Sequence, residues 1–228
     1  MGFSSYSTAR TAGLVRSGAE RATLVRRTYS VVFASVLLTV VGAWVGLSNE
    51  SIMQAVARHP FISAILWFSP LLIARGARVA TPQRLGLVLV FAFASGVLYS
   101  PLLYVYNARQ PGVVGQAAAL TLGAFGILTA YAWTSRRDFS AWGSFFAVGL
   151  LVLIGTSLLN LFFQNQTASL WIAAATVLVF SGLLVFDTWR IRNQYGPDEY
   201  VGAAVQLYLD LLNMFLAVLQ LLGGGRRN

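Results

Sequence analysis

Seven apolar stretches of about twenty residues each, joined by short polar connections, leave this 228-residue chain little choice but to fold as helices across a bilayer. They run Tyr29 to Leu47, Phe61 to Val79, Leu85 to Tyr106, Val113 to Trp133, Trp142 to Phe163, Ala168 to Arg190 and Tyr200 to Leu222. Six qualify by apolar length alone, and a seventh tolerates an acid. With no water at that depth, each backbone N–H and C=O must find its partner inside the protein, and a helix does this within one segment. The connections carry the expected breakers: Asn49-Glu50-Ser51, Thr81-Pro82, Pro111-Gly112, Arg136-Arg137-Asp138 and Gly196-Pro197. The expected fold class is an all-α membrane protein, a seven-transmembrane-helix bundle. Its organisation reads as an Arg-rich leader over 1–28, the transmembrane domain over 29–222 and a short tail over 223–228.

Composition narrows the chemistry. At 57% hydrophobic residues and a mean hydropathy of +0.69, the chain lacks the polar surface of a soluble domain. Cysteine is absent, which removes disulfides, thiolate nucleophiles and thiolate metal sites. All sixteen basic residues are arginine, so a lysine Schiff base and a Walker-type phosphate lysine are excluded. The net charge of +9 would suggest nucleic acid in a soluble protein, but arginines beside apolar segments report membrane orientation more simply, and no nucleic-acid partner is expected.

With the N-terminus in the cytosol, the inner segments hold twelve arginines: Arg10, Arg16, Arg21, Arg26, Arg27, Arg75, Arg78, Arg84, Arg136, Arg137, Arg190 and Arg192. The outer side holds four, Arg58, Arg109, Arg226 and Arg227. That asymmetry favours a cytosolic N-terminus. The Arg-, Ser- and Thr-rich leader also fits a mitochondrial transit peptide, so the expected location is a bacterial inner membrane, with the mitochondrial inner membrane as the alternative. Two small-residue stripes, Gly42 with Gly46 and Ala92 with Gly96 and Ser100, allow helices to pack closely.

Asp187 and Asp210 stand inside the last two apolar stretches. An ionisable side chain at membrane depth is costly and marks a functional site by default. A hairpin turning at Gly196-Pro197-Asp198 puts each carboxylate about 15 to 18 Å from the turn, so the two can meet at one depth. Paired there, they cannot both ionise cheaply; one proton is shared and the pair titrates as a unit, which suits a pH sensor. Doubly ionised, Asp187 and Asp210 would form a hard oxygen site for Ca²⁺, with Asn213 or Asn160 as additional ligands. Gln206, Asp210, Asn213 and Gln220 share one helix face, and Thr156 and Asn160 form a shorter stripe on another, so a polar seam lined by Asn160, Gln206 and Asn213 is expected.

A counter-charge is available near the inner face. From Phe61 to Ala74 is about 21 Å of helix against about 30 Å of hydrocarbon, which places Arg75 within the inner third of the membrane; Arg78, one turn on, competes for the same role. Either arginine, paired with Asp187, could latch the hairpin and close a pore.

The run Phe180-Ser-Gly-Leu-Leu-Val-Phe-Asp-Thr-Trp-Arg-Ile-Arg-Asn-Gln-Tyr195, followed by Ala203-Ala-Val-Gln-Leu-Tyr-Leu-Asp-Leu-Leu-Asn213, resembles the signature of the Bax inhibitor-1 (TMBIM) family. The resemblance extends to Phe93-Ala-Ser-Gly-Val-Leu-Tyr-Ser-Pro101 and Thr134-Ser-Arg-Arg-Asp-Phe-Ser140, covering residues 85 to 222, while the first two stretches match only in hydropathy. It implies a seven-helix bundle with a central last helix. It also implies a pH-sensitive Ca²⁺ leak, in which a di-aspartyl pair, here Asp187 and Asp210, latches to an arginine of the second span. Counting back without gaps from Ser95-Gly96 lands on Arg78, whereas membrane depth favours Arg75. No Asp or Glu occurs between Glu50 and Asp138, so the acid that some relatives carry in the second span is missing.

The leading expectation is therefore a Ca²⁺-permeable, proton-regulated leak channel or exchanger, with Ca²⁺ as transported ion, no resident cofactor and no enzymatic activity. An intramembrane aspartyl protease also places two aspartates on consecutive helices, but Tyr208-Leu209-Asp210 replaces its Gly-x-Gly-Asp and no Pro-Ala-Leu follows. A third reading is a non-transporting regulator of a membrane protease or a stress or cell-death pathway, whose membrane-protein partner the sequence does not name.

Overall fold

The structure, a computed structural model, describes residues 18–74 and 80–224. All regular structure among the described residues is helical: α1 (Gly18–Ser48), α2 (Glu50–Arg58), α3 (Pro60–Ala74), α4 (Thr81–Arg109), α5 (Val113–Thr134), α6 (Trp142–Phe163), α7 (Gln166–Asn193) and α8 (Tyr200–Gly224). Six of these, α1 and α4 to α8, are long and apolar enough to cross a membrane. The expected second span is different in kind. Its apolar run belongs to α3, only 15 residues long, which follows α2 through a bend of 102° at His59. Pro60 opens α3 where its missing N–H costs nothing, and the break leaves the pair as either one bent span or a re-entrant segment. The chain is thus an integral, multi-pass helical membrane protein with six spans, or seven if the bent pair counts as one. The leader's last eleven residues, from Gly18, already belong to α1.

Local chemistry sets the helix ends. Asn49 and Asn165 cap α2 and α7, their side-chain oxygens accepting from the N–H groups of Ile52 at 3.2 Å and Ala168 at 3.0 Å. At α4 the Gln83 side chain accepts from the Ala80 N–H at 3.2 Å, and Pro82 sits in the first turn. Gly112 supplies the left-handed backbone that α5 needs before its first turn, at φ 84°.

Packing is organised around two helix pairs. On one side α1 lies against α4; on the other α7 and α8 form the expected hairpin. Of the long helices α8 buries the largest share of its apolar window, half of it, and it touches α1, α4, α5 and α7. The helix most open to its surroundings is α6, which among the described residues packs on α7 alone.

The small-residue stripes of α1 and α4 meet face to face. A Cβ added to Gly42 would overlap the Phe93 carbonyl, and one on Gly96 would overlap the Thr39 carbonyl. In hydrocarbon, where burying an apolar side chain against another gains little over lipid, this backbone approach is what makes the pair adhere. Hydroxyls then pin it. Thr39 Oγ1 lies 2.8 Å from the Ser35 carbonyl and 3.0 Å from the Ala92 carbonyl of α4, and it is 2.8 Å from Tyr208 Oη of α8. Thr39 has one proton, which goes to a carbonyl, so Tyr208 donates to Thr39 and ties three helices at one point. Trp67 does the same for α3: its Nε1–H donates to Ser95 Oγ at 2.7 Å while its ring stacks on Phe91 at 5.2 Å.

Gly96→Ala places its methyl against backbone that has nowhere to retreat. The substitution is expected to destabilise the fold by about 1–3 kcal/mol, read as a lowered thermal midpoint in detergent, whereas Gly86→Ala, at a position with open space around it, should leave the midpoint unchanged.

Candidate functional site

The site is built where the α7–α8 hairpin approaches its turn. Asp187 stands six residues before the end of α7 and Asp210 ten residues after the start of α8, so both lie about 9 to 15 Å from the helix ends. Both are buried, 6% and 5% exposed. Their carboxyl groups face each other within hydrogen-bonding range. The hairpin register expected from the sequence thus brings them together. Asp210 Oδ2 is buried with no hydrogen-bond partner.

The counter-charge comes from the same helix. Arg190, one turn past Asp187, donates from Nη1 to Asp187 Oδ1 at 3.1 Å and from the same nitrogen to Gln206 Oε1 of α8 at 3.0 Å. The Gln206 oxygen also accepts from Tyr195 Oη. Tyr195 lies in the turn, outside the spans, and burial pushes its phenol up to about 12 against the pull of Arg190, so it keeps its proton and donates. With two donors aimed at one atom, the Gln206 amide oxygen is fixed in place. The Arg190 guanidinium is further held over the rings of Tyr195 at 4.9 Å and Phe186 at 5.5 Å. A carboxylate, an amide, a phenol and a guanidinium therefore join α7, the turn and α8 into one polar knot.

Arg75 and Arg78, the two arginines expected to reach Asp187, lie outside the described residues. The sequence reading counted Arg190 only as a positive residue of the inner face. A signal for its role was present in the three-residue spacing from Asp187, which puts both side chains on one helical face. Arg192, counted the same way, donates to the carbonyls of Ala132, Trp133 and Ser135 at 3.3, 2.8 and 2.9 Å. It closes the carboxyl end of α5, where unpaired carbonyls favour a cation, and so anchors the end of α7 that carries the site.

The polar seam is shorter than expected. Gln206 belongs to the knot, and Asn213 lies one turn beyond Asp210 with its amide donating to the Leu209 carbonyl of its own helix at 2.8 Å. The structure separates Asn160 from the aspartates. Asn160 is on α6, which does not touch α8, and its Oδ1 accepts from the Asn165 N–H at the start of α7, roughly 30 Å along that helix from Asp187. Thr156 Oγ1 likewise returns its proton to carbonyls of α6 itself. Thr156 satisfies its own helix and Asn160 the turn into α7, which spacing alone cannot distinguish from lining a pore. Among the described residues no group of three His, Cys, Asp or Glu side chains could hold a metal ion.

The fold and site define a polytopic helical membrane protein with a paired carboxyl centre at the base of its last hairpin. Comparison with known proteins gives the family. The family described as "Inhibitor of apoptosis-promoting Bax1" matches residues 21–228. An uncharacterized protein of Helicobacter pylori strain J99 is 35% identical over 211 residues, 90% of this chain and 87% of its own. Protein lifeguard 4 of Mus musculus is 30% identical over 89% of this chain and 85% of its own, and Bax inhibitor 1 of Schizosaccharomyces pombe is 30% identical over 89% and 77%. The chain belongs to the Bax inhibitor family.

Replacing Gln206 with Leu leaves the Arg190 and Tyr195 donors without their shared acceptor. The variant is expected to lose about 1–3 kcal/mol of stability, measured as a lowered thermal midpoint in detergent; an unchanged midpoint would mean the knot does not hold the hairpin.

Proposed function

We propose that the chain is a pH-sensitive, Ca²⁺-permeable leak channel or exchanger of a bacterial inner membrane, with its N-terminus in the cytosol and α8 as the axis of the bundle. The observation that supports it most is the Asp187–Asp210 pair, two buried carboxyl groups facing each other inside an apolar bundle and bridged at one side by a cation. A protein gains nothing in stability by burying two acids together, so their retention at this depth points to proton and cation handling. In this reading Arg190 holds α7 to α8 while Asp187 is ionised. Protonation of Asp187 removes the charge that holds the guanidinium, and acid shifts the population toward the released state. Ca²⁺ is the transported ion, and the reading assigns no enzymatic step.

Ca²⁺ flux into liposomes carrying the purified protein should rise as pH falls, and Asp187→Asn and Asp210→Asn should each flatten that dependence. The same pH profile in both variants as in the parent would sink the mechanism. The arginine that acts as latch is read by charge exchange. Asp187→Arg alone abolishes closure, and adding Arg190→Asp restores it, whereas adding Arg75→Asp or Arg78→Asp does not. Restoration by either of the latter would move the latch to the segment before α4.

A second reading, a regulator of a membrane protease or of a stress or cell-death pathway that transports nothing, is favoured by the family's description as an inhibitor of apoptosis-promoting Bax1. It predicts liposomes that pass no Ca²⁺ at any pH.

A further inference from the structure

We infer that the cavity at the end of the bundle remote from the carboxyl pair is a phosphate site, in which Arg109 of α4 and Ser169 of α7 hold the phosphate of a lipid headgroup or of a small soluble anion. The cavity, of about 420 Å³, opens where α4 and α8 end and α7 begins. That volume suits a small polar ligand. Gln220, on its wall, stands about 15 Å along α8 from Asp210. The site is therefore separate from the Asp187–Asp210 pair and stands whether or not that pair passes Ca²⁺.

Local sequence makes the space. Gly223 and Gly224 close α8 without side chains; a Cβ on the first would overlap the Tyr106 ring, and one on the second would crowd Leu170 of α7. Among the described residues α4 and α7 do not pack on each other, so the gap between them beyond these glycines stays open. Gln220 crosses part of it, its Nε2 donating to the Ser169 carbonyl at 3.3 Å and to Ser169 Oγ. Because that Oγ accepts from Gln220, the Ser169 hydroxyl keeps its own proton to donate.

One residue decides the charge of the cavity. Among the described residues no acid lines it, and Arg109 makes no hydrogen bond or ion pair. Two helix carboxyl ends and one amino end meet there, a net of roughly minus half a charge, which the full charge of the guanidinium outweighs. The guanidinium offers paired N–H donors that match two phosphate oxygens, and Ser169 and Gln110 add a hydroxyl and an amide. Depth points the same way. The exposed rings of Trp44, Tyr104 and Trp171 each stand little more than one turn from this end of their helices, as an interfacial aromatic belt does. The cavity lies at and just beyond that belt, at headgroup level. A phosphate seated there bridges α4 to the α7–α8 hairpin, which the polar knot secures only at its other end.

Equilibrium binding to the full-length protein in dodecyl maltoside tests this with two probes, ³²P-labelled phosphatidylglycerol and ³²P-labelled inorganic phosphate. Saturable binding is expected, and a diacylglycerol with the same chains should not displace the lipid. Arg109→Gln and, through repulsion, Gln110→Glu should each weaken binding about tenfold or more. Arg109→Lys should retain most of it, and Arg58→Gln, at the end of α2 and outside the cavity, should leave it unchanged. Each variant is checked for folding by its thermal midpoint. Binding of phosphatidylglycerol that inorganic phosphate fails to displace assigns the site to a headgroup; binding of inorganic phosphate itself assigns it to a soluble anion, and both support the phosphate site. No saturable binding of either probe overturns the inference. Equal affinity in the parent and in folded Arg109→Gln, an equal loss in Arg58→Gln, or displacement by diacylglycerol overturns it as well.

Discussion

A carboxylate at hydrocarbon depth must be given back, by the protein, the solvation it loses on leaving water. That requirement organises the end of the molecule where α7 turns into α8. Asp187 receives a guanidinium, the guanidinium receives an amide oxygen from the next helix, and the amide receives a phenol from the turn. The last two of these links cross between elements, guanidinium to amide and amide to phenol, so the hairpin cannot spread without leaving a donor bare. Asp210 Oδ2 and Thr188 Oγ1 are buried here without a hydrogen-bond partner.

The opposite pair of helices is held by the contrary means. Where α1 crosses α4 there is almost no side chain at all: glycines let backbone touch backbone, and a single threonine joins the pair to Tyr208 of α8. Contact of this kind has no charge to titrate and no long side chain to swing. The molecule is thus joined by backbone contact at one helix pair and by polar side chains at the other. Tyr208 and Asp210 are two residues apart on α8, so the same short segment meets the fixed half through one and the titratable half through the other.

Much of this was legible beforehand because it depends on local patterns. Apolar run length gave six of the spans, small-residue spacing marked the faces along which α1 and α4 meet, and hairpin arithmetic placed Asp187 opposite Asp210. What escaped the sequence depended on which of several equivalent groups a fold selects. Arg190 looked like one more inner-face arginine, because a charge rule counts residues without asking what each touches. Asn160 looked like pore lining because a polar residue on a helix face signals an inward side only if that face has a neighbour, and α6 has a single one. The run from Phe61 reads as a straight span because hydropathy does not register that it follows α2 through a bend of 102° at His59.

The position of α6 carries a consequence for how the protein tolerates change. Its ties to the bundle run through α7, at points such as Gly182 against Phe146 and Gly143 against Phe186, the ring over which the Arg190 guanidinium is held. Mutational drift across its outer surface is constrained by solubility in lipid and little else, whereas a cavity or a clash on its inner line would be felt by the helix that carries Asp187. A fluorophore or spin label on the outer face of α6 would therefore ride on α7 and report its motion while leaving the carboxyl pair untouched.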